Sequence, residues 1–180
     1  MKINVGASLA IVTAGFCASA ATFCAGPALA QTAHAPQVPA AVAAPGEKTV
    51  ATFQGVGAQV YECKAGADGK LAWSFREPIA ALIENGKTVG RHYAGPTWED
   101  VDGSKVVGKA VGNAPGATAD DVAWLKLDVI RHQGRGLLSQ VTTVQRLDTQ
   151  GGGLKGSCDK AGDFKSVAYM ATYVFLRKSK

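Results

Sequence analysis

The chain has few histidines, and they lack the spacing of a common metal centre. Of the three, His34 lies in an Ala/Pro-rich segment. His92 and His132 fall in the region expected to fold, but they lie forty residues apart with no HxH or HExxH pattern. A metal site needs three or four converging ligands. The sequence therefore predicts no metal, and nothing in it indicates another cofactor.

Signatures of nucleophilic catalysis, phosphate binding and nucleic-acid binding are also missing. Ser104 and Ser139 have no nucleophile-elbow context. The glycine run at 151–153 is not followed by Lys-Ser/Thr, which a phosphate-binding loop requires. The basic residues are scattered and do not form the basic stripe with interleaved aromatics that binds nucleic acid. We therefore expect no nucleic-acid partner.

Residues 1–30 contain no acidic residue and one basic residue, Lys2. The apolar, Ala-rich stretch at 5–23 and the Ala-Leu-Ala sequence at 28–30 are typical of a secretory signal peptide. We expect cleavage before Gln31, a periplasmic or secreted protein, and no transmembrane anchor after cleavage. Because only Lys2 is lost, the mature chain has 18 Lys+Arg against 14 Asp+Glu, a net charge of +4.

Cysteine is scarce as well. Of four cysteines, two remain after the signal peptide, Cys63 and Cys158. In an oxidising compartment such a pair predicts one disulfide, with two unpaired thiols as the alternative. Closing so long a loop would stabilise the fold by up to roughly 4–5 kcal/mol.

The rest of the chain is rich in β signals and shows almost no helical periodicity. Residues 31–48, with alanine, proline and valine, predict a linker, and 49–180 predict a single β-rich domain. Apolar residues alternate at 71–76 and 123–130, residues 137–147 are β-prone, and Asp-Gly and Asn-Gly pairs mark hairpin turns. Seven to nine short strands predict an antiparallel β-sandwich or a closed β-barrel.

The stretch at 91–103 combines aromatic residues, a histidine, a Gly-Pro turn and three carboxylates. Glu99 and Asp102 have the spacing of an acid–base pair for glycan hydrolysis, with His92 orienting them and Trp98 stacking on a sugar. The alternative is structural: Asp102 belongs to a hairpin turn, Glu99 is solvated on a strand, and Trp98 fills the core. We favour the structural alternative for the two carboxylates.

Gln145 and Arg146 interrupt a β-prone strand, so one of them should face inward. An inward arginine is tolerated only when paired, for example with Glu99 or Asp102. This arrangement would be either a structural ion pair or the polar floor of a ligand pocket. The candidate ligand-binding residues are His92, Tyr93, Trp98 and Arg146.

The octapeptide at 92–99, His-Tyr-Ala-Gly-Pro-Thr-Trp-Glu, resembles a family of exported bacterial and fungal proteins known as domain of unknown function 3455. The segments at 57–63 and 141–152 match the same family, and the resemblance spans about 52–176. It implies export and one compact domain, and it implies no activity.

Together these features favour a non-catalytic domain, associated with the cell envelope or binding a small molecule or polysaccharide through the loop at 92–102. The alternative is a hydrolase of cell-wall or extracellular carbohydrate that uses Glu99 and Asp102.

Overall fold

Eight antiparallel strands form a closed barrel in the computed structural model, which describes residues 37–179. Each strand pairs with the next along the chain, and the last pairs with the first. The strands are β1 (Lys48–Ala65), β2 (Leu71–Glu84), β3 (Lys87–Tyr93), β4 (Thr97–Asp100), β5 (Lys105–Ala114), β6 (Trp124–Gln133), β7 (Thr143–Gly151) and β8 (Phe164–Arg177). The predicted all-β fold is confirmed, in its barrel form.

Alternation along the strands decides which side chains fill the barrel. On β6, Leu127 is buried and Leu125 and Val129 pack against the same core, whereas Ile130 is exposed. The strand predicted from the alternation at 123–130 is therefore present, with one face turned towards the core. On β1, Gly55 faces the ring of Tyr173, and a Cβ atom there would overlap that ring. Glycine at this position lets a large aromatic side chain occupy the barrel interior.

A short 3₁₀ turn between β6 and β7 closes one end of the barrel.

 The turn spans Leu137–Gln140, and its Leu138 is fully buried in the main core. It packs against β1, β4, β5 and β6, so it plugs this end of the barrel from the inside. The strand predicted over 137–147 is therefore wrong in its first half, because β7 begins only at Thr143. The apolar residues before it serve as the plug.

The second half of the predicted linker packs on the outer wall of the barrel. A 3₁₀ turn at Ala40–Val42 places Val42, fully buried, in a small cluster with Ala114 and Leu147. Gln145 faces outward here, and its Nε2 donates a hydrogen bond of 2.6 Å to the Val42 carbonyl oxygen. The expected signal peptide at 1–30, and the linker before residue 37, lie outside the described residues.

None of the helical segments within residues 37–179 is long and apolar enough to cross a membrane.

Candidate functional site

A cavity of about 700 Å³ occupies the barrel interior at the end opposite the plug. Residues of every strand except β5 line it, together with residues of the loops that follow β3, β5 and β7. Cavities of this size in the mouths of β-barrels are typical sites for small ligands. We therefore place the candidate site inside the barrel.

Three aromatic rings form one wall of this cavity. His92 lies opposite Trp98 in the β3–β4 register, and the two rings stack with centroids 4.4 Å apart and planes 9° from parallel. Tyr173 contacts both edge-on, with centroids 5.0 Å from His92 and 5.5 Å from Trp98. Trp98 is only 1% exposed. It is a core residue that also borders the cavity.

The hydrogen bond made by His92 determines which ring nitrogen carries the proton. Nδ1 lies 2.8 Å from the carbonyl oxygen of Thr97, and a carbonyl can only accept, so Nδ1 is protonated. Burial lowers the pKa of His92 to about 3, and the positive charge of Arg146 acts in the same direction, while the Thr97 bond opposes both. The ring is therefore neutral at neutral pH, and Nε2 is a hydrogen-bond acceptor.

Of Gln145 and Arg146, one is predicted to face inward, and it is Arg146 that lines the cavity. Its hydrogen-bond partner is a backbone carbonyl and not the predicted carboxylate. Its Nε and one terminal nitrogen donate to the carbonyl oxygen of Ala123 at 3.0 and 2.8 Å. No ion pair found within residues 37–179 involves Arg146. The expected pairing with Glu99 or Asp102 is wrong, because both carboxylates are bound elsewhere.

Two residues of the cavity lining each carry a buried side-chain nitrogen with no hydrogen-bond partner among residues 37–179. These are the Nε2 of Gln59 and the Nε1 of Trp98, both on residues that are 1% exposed. By contrast, the hydroxyl of Tyr61 donates to the Gly152 carbonyl at 2.7 Å. Buried donors in native proteins are nearly always paired, but the nitrogens of Gln59 and Trp98 are inaccessible to a water-sized probe, so a molecule in the cavity would not reach them in this conformation.

Glu99 lies on the outer wall of the barrel, away from the cavity. It accepts hydrogen bonds from the hydroxyl of Tyr93 at 2.7 Å and from Arg91 at 3.1 Å, and Lys105 lies 3.6 Å away. The bond from Tyr93 is the main reason that the pKa of Glu99 is lowered. Tyr93, a candidate ligand residue, is therefore on the same outer surface and does not line the main cavity.

Asp102 lies near the plugged end of the barrel. Its two carboxylate oxygens accept hydrogen bonds from the backbone nitrogens of Ser104 at 2.8 Å and Leu137 at 2.7 Å. The bonds involving Ser104 and Leu137 lower the pKa of Asp102. The bond from Ser104 is typical of a turn, and the bond from Leu137 holds the plug in place. The structure does not bring His92, Glu99 and Asp102 together around one cleft.

The disulfide predicted between Cys63 and Cys158 is present, with Cα atoms 5.9 Å apart. Since β1 and β8 already pair directly, the bond does not join the ends of the sheet. It anchors the loop between β7 and β8, residues 152–163, to the end of β1. Three residues of this loop line the cavity: Gly153, Leu154 and Lys155. The disulfide therefore positions part of the cavity wall.

A protein-family model described as "Protein of unknown function (DUF3455)" matches residues 43–177, which include all eight strands. The chain belongs to this family. No curated protein and no solved structure matches it significantly. The residues that line the cavity of this DUF3455 domain all lie within the matched region.

Within residues 37–179 of the DUF3455 domain, no group of three or more His, Cys, Asp or Glu side chains is close enough to hold a metal ion. Sequence reasoning found His92, Trp98 and Arg146 in the cavity wall but missed Gln59 and Tyr173. The sequence does hold a signal for Gln59. It is a polar residue that alternates with Phe53, Gly55 and Gly57 along β1, on the face that points into the barrel.

Proposed function

We propose that this DUF3455 domain is a non-catalytic binding protein that holds a small molecule inside its barrel, and that it works outside the cytoplasm. The observation that carries the proposal is the cavity of about 700 Å³ inside the barrel, whose mostly apolar lining includes Arg146. A fold that only needed stability would fill this space with apolar side chains, since protein interiors are normally close-packed.

The polar groups of the cavity suit binding better than hydrolysis. His92 has its Nδ1 proton engaged by Thr97, and Glu99 and Asp102 lie outside the cavity. The carboxylate in the cavity lining belongs to Asp121, whose oxygens accept bonds from the backbone nitrogen of Gly151 at 2.6 Å and from Thr118 at 2.8 Å. Among residues 37–179, the cavity lining holds no second carboxylate opposite Asp121, whereas glycan hydrolysis requires a pair.

A paired substitution on β6 tests the binding proposal. Leu125→Trp places a large side chain in the cavity, whereas Ile130→Trp adds the same side chain on the exposed outer face of the same strand. We expect the neutral dye Nile red to bind one molecule per chain to the wild type and to Ile130→Trp, and to lose binding in Leu125→Trp. Fluorescence titration measures this. Equal binding by both variants would contradict a site inside the barrel.

Export is supported by the signal-peptide pattern at 1–30 and by the disulfide between Cys63 and Cys158. Protein recovered from its native compartment should begin at Gln31 and weigh two hydrogens less than the reduced chain. Intact-mass measurement before and after reduction tests both expectations. An uncleaved chain in which Cys63 and Cys158 are free thiols would contradict the proposed location.

A further inference from the structure

The inner part of the cavity carries one positive charge that has no ion-pair partner among residues 37–179. Arg146 projects from the inward face of β7, while the other charged residues of the lining are already engaged or exposed. Arg76 has a 46% exposed side chain and pairs with Glu77 at 3.0 Å. The Asp121 carboxylate is bound by backbone groups, and Lys155 lies on the exposed β7–β8 loop. Arg146 is therefore the charge that a molecule in the cavity would meet.

The surroundings of Arg146 leave part of its hydrogen-bonding capacity for a ligand. A guanidinium has five N–H groups, and the Ala123 carbonyl receives bonds from two of its nitrogens. Across the β7–β8 register Arg146 lies opposite Tyr173, whose ring contacts His92 and Trp98. A cation removed from water is stabilised best by an opposite charge, which the carbonyl dipole does not supply.

The hydrogen-bond chemistry of Arg146 indicates the type of ligand group that would bind it. A guanidinium only donates hydrogen bonds, so its partner must be an acceptor. A ligand oxygen that carries negative charge would accept from the guanidinium in bonds stronger than those between neutral groups. A cationic or donor-only ligand could not accept these bonds.

The remaining wall of the cavity is apolar and would contact the body of the ligand. It includes the side chains Phe75, Pro78, Val122, Leu125, Leu127 and Leu154. Such a surface favours an aromatic or aliphatic body over a sugar, because sugar hydroxyls buried against it would lack partners. One inner cation also matches a singly charged group better than a doubly charged phosphate.

We propose that the ligand of this cavity is a small amphipathic monoanion, with its carboxylate bound by Arg146 and its apolar body held between the hydrophobic walls. This inference rests on the proposed binding function and names the chemical class of the ligand. It assigns Arg146 as the residue that selects an acid over its neutral analogue.

A matched pair of probes tests this assignment. Naphthalene-2-carboxylate and naphthalene-2-carboxamide share one apolar body and differ in charge, and isothermal titration calorimetry at pH 7.5 measures the affinity of each. We expect the wild type to prefer the carboxylate by about tenfold or more, which is the range for a hydrogen bond to a charged group. Arg146→Gln should remove this preference, and Arg146→Lys, which keeps the charge, should restore part of it.

The control is Arg131→Gln, which removes the same charge from an exposed position on β6 and should leave both affinities within about twofold of the wild type, because solvent screens that position. Circular dichroism melting shows whether each variant folds. Equal affinity of the wild type for the two probes, or an equal loss of both in Arg146→Gln, would overturn the ligand class. So would a failure of both probes to bind. If Nile red still binds inside the barrel in any of these cases, the proposed binding function stands.

Discussion

The buried, neutral His92 should make the stability of this domain depend on pH in a way that one substitution can isolate. The pKa of His92 falls from 6.5 to about 3 on folding, mainly because the ring is buried. Between these two values the unfolded chain binds a proton that the folded chain does not. The contribution of the neutral His92 to the free energy of unfolding is therefore fully present above pH 6.5 and is lost as the pH falls from 6.5 towards 3.

The size of this effect follows from the two pKa values. Between pH 7.5 and pH 4.5, the one histidine should lower the free energy of unfolding by about 3 kcal/mol. His92→Asn removes the titrating ring but retains an N–H group that can reach the Thr97 carbonyl. The variant should be less stable than the wild type at pH 7.5, because it leaves a void beside Trp98. The free energy of unfolding of the wild type, relative to that of the variant, should fall by about 3 kcal/mol between pH 7.5 and pH 4.5.

Urea unfolding followed by tryptophan fluorescence at several pH values measures this difference. The other titrating groups are common to both proteins, so their contributions cancel to first order in the comparison. A purely structural role for the ring would make the variant less stable by the same amount at every pH. A free energy of unfolding that changes with pH in the same way for wild type and His92→Asn would refute the reasoning. Titration of the His92 ring by NMR near pH 6.5 in the folded protein would refute it as well.

Three further predictions concern the stability of the barrel. Leu138→Ala should lower the free energy of unfolding by about 2–5 kcal/mol because it empties the plug, whereas its neighbour Leu137→Ala, 42% exposed, should cost under about 1 kcal/mol in the same urea titration. Trp98→Ala should cost about 3–5 kcal/mol, and an unchanged melting temperature would contradict its place in the core. Cys158→Ser should cost up to about 4–5 kcal/mol in the oxidised protein. Under reducing conditions the wild type should approach the stability of that variant.

The fold could be predicted from the sequence because its signals are local. Alternating apolar residues and Asn-Gly or Asp-Gly turns specify strands and hairpins wherever they occur. The choice between a sandwich and a barrel could not be made, since it depends on whether β1 pairs with β8, which lie more than a hundred residues apart. The plug at 137–140 is not predictable for a related reason: Leu138 is apolar because it fills the barrel end, and an apolar residue next to a β-prone segment is typical of a strand.

The candidate site was only partly predictable because neighbours along a strand point to opposite faces. His92 faces the cavity, whereas Arg91 and Tyr93 on either side of it face outward. Trp98 and Glu99 separate in the same way. A run of chemically interesting residues in a strand therefore divides between two surfaces. The sequence predicts a paired Arg146 because an inward arginine is costly without a partner, but no ion pair among residues 37–179 involves it.

The disulfide that anchors the β7–β8 loop has a thermodynamic consequence for any molecule in the cavity. Residues 153–155 border the cavity, and Cys158 lies three residues further along the chain. If a ligand binds more tightly when this loop is held by the bond, then by reciprocity the ligand must make the bond harder to reduce by the same factor. The affinity of the cavity and the reduction potential of the disulfide would then be two measurements of one coupling free energy.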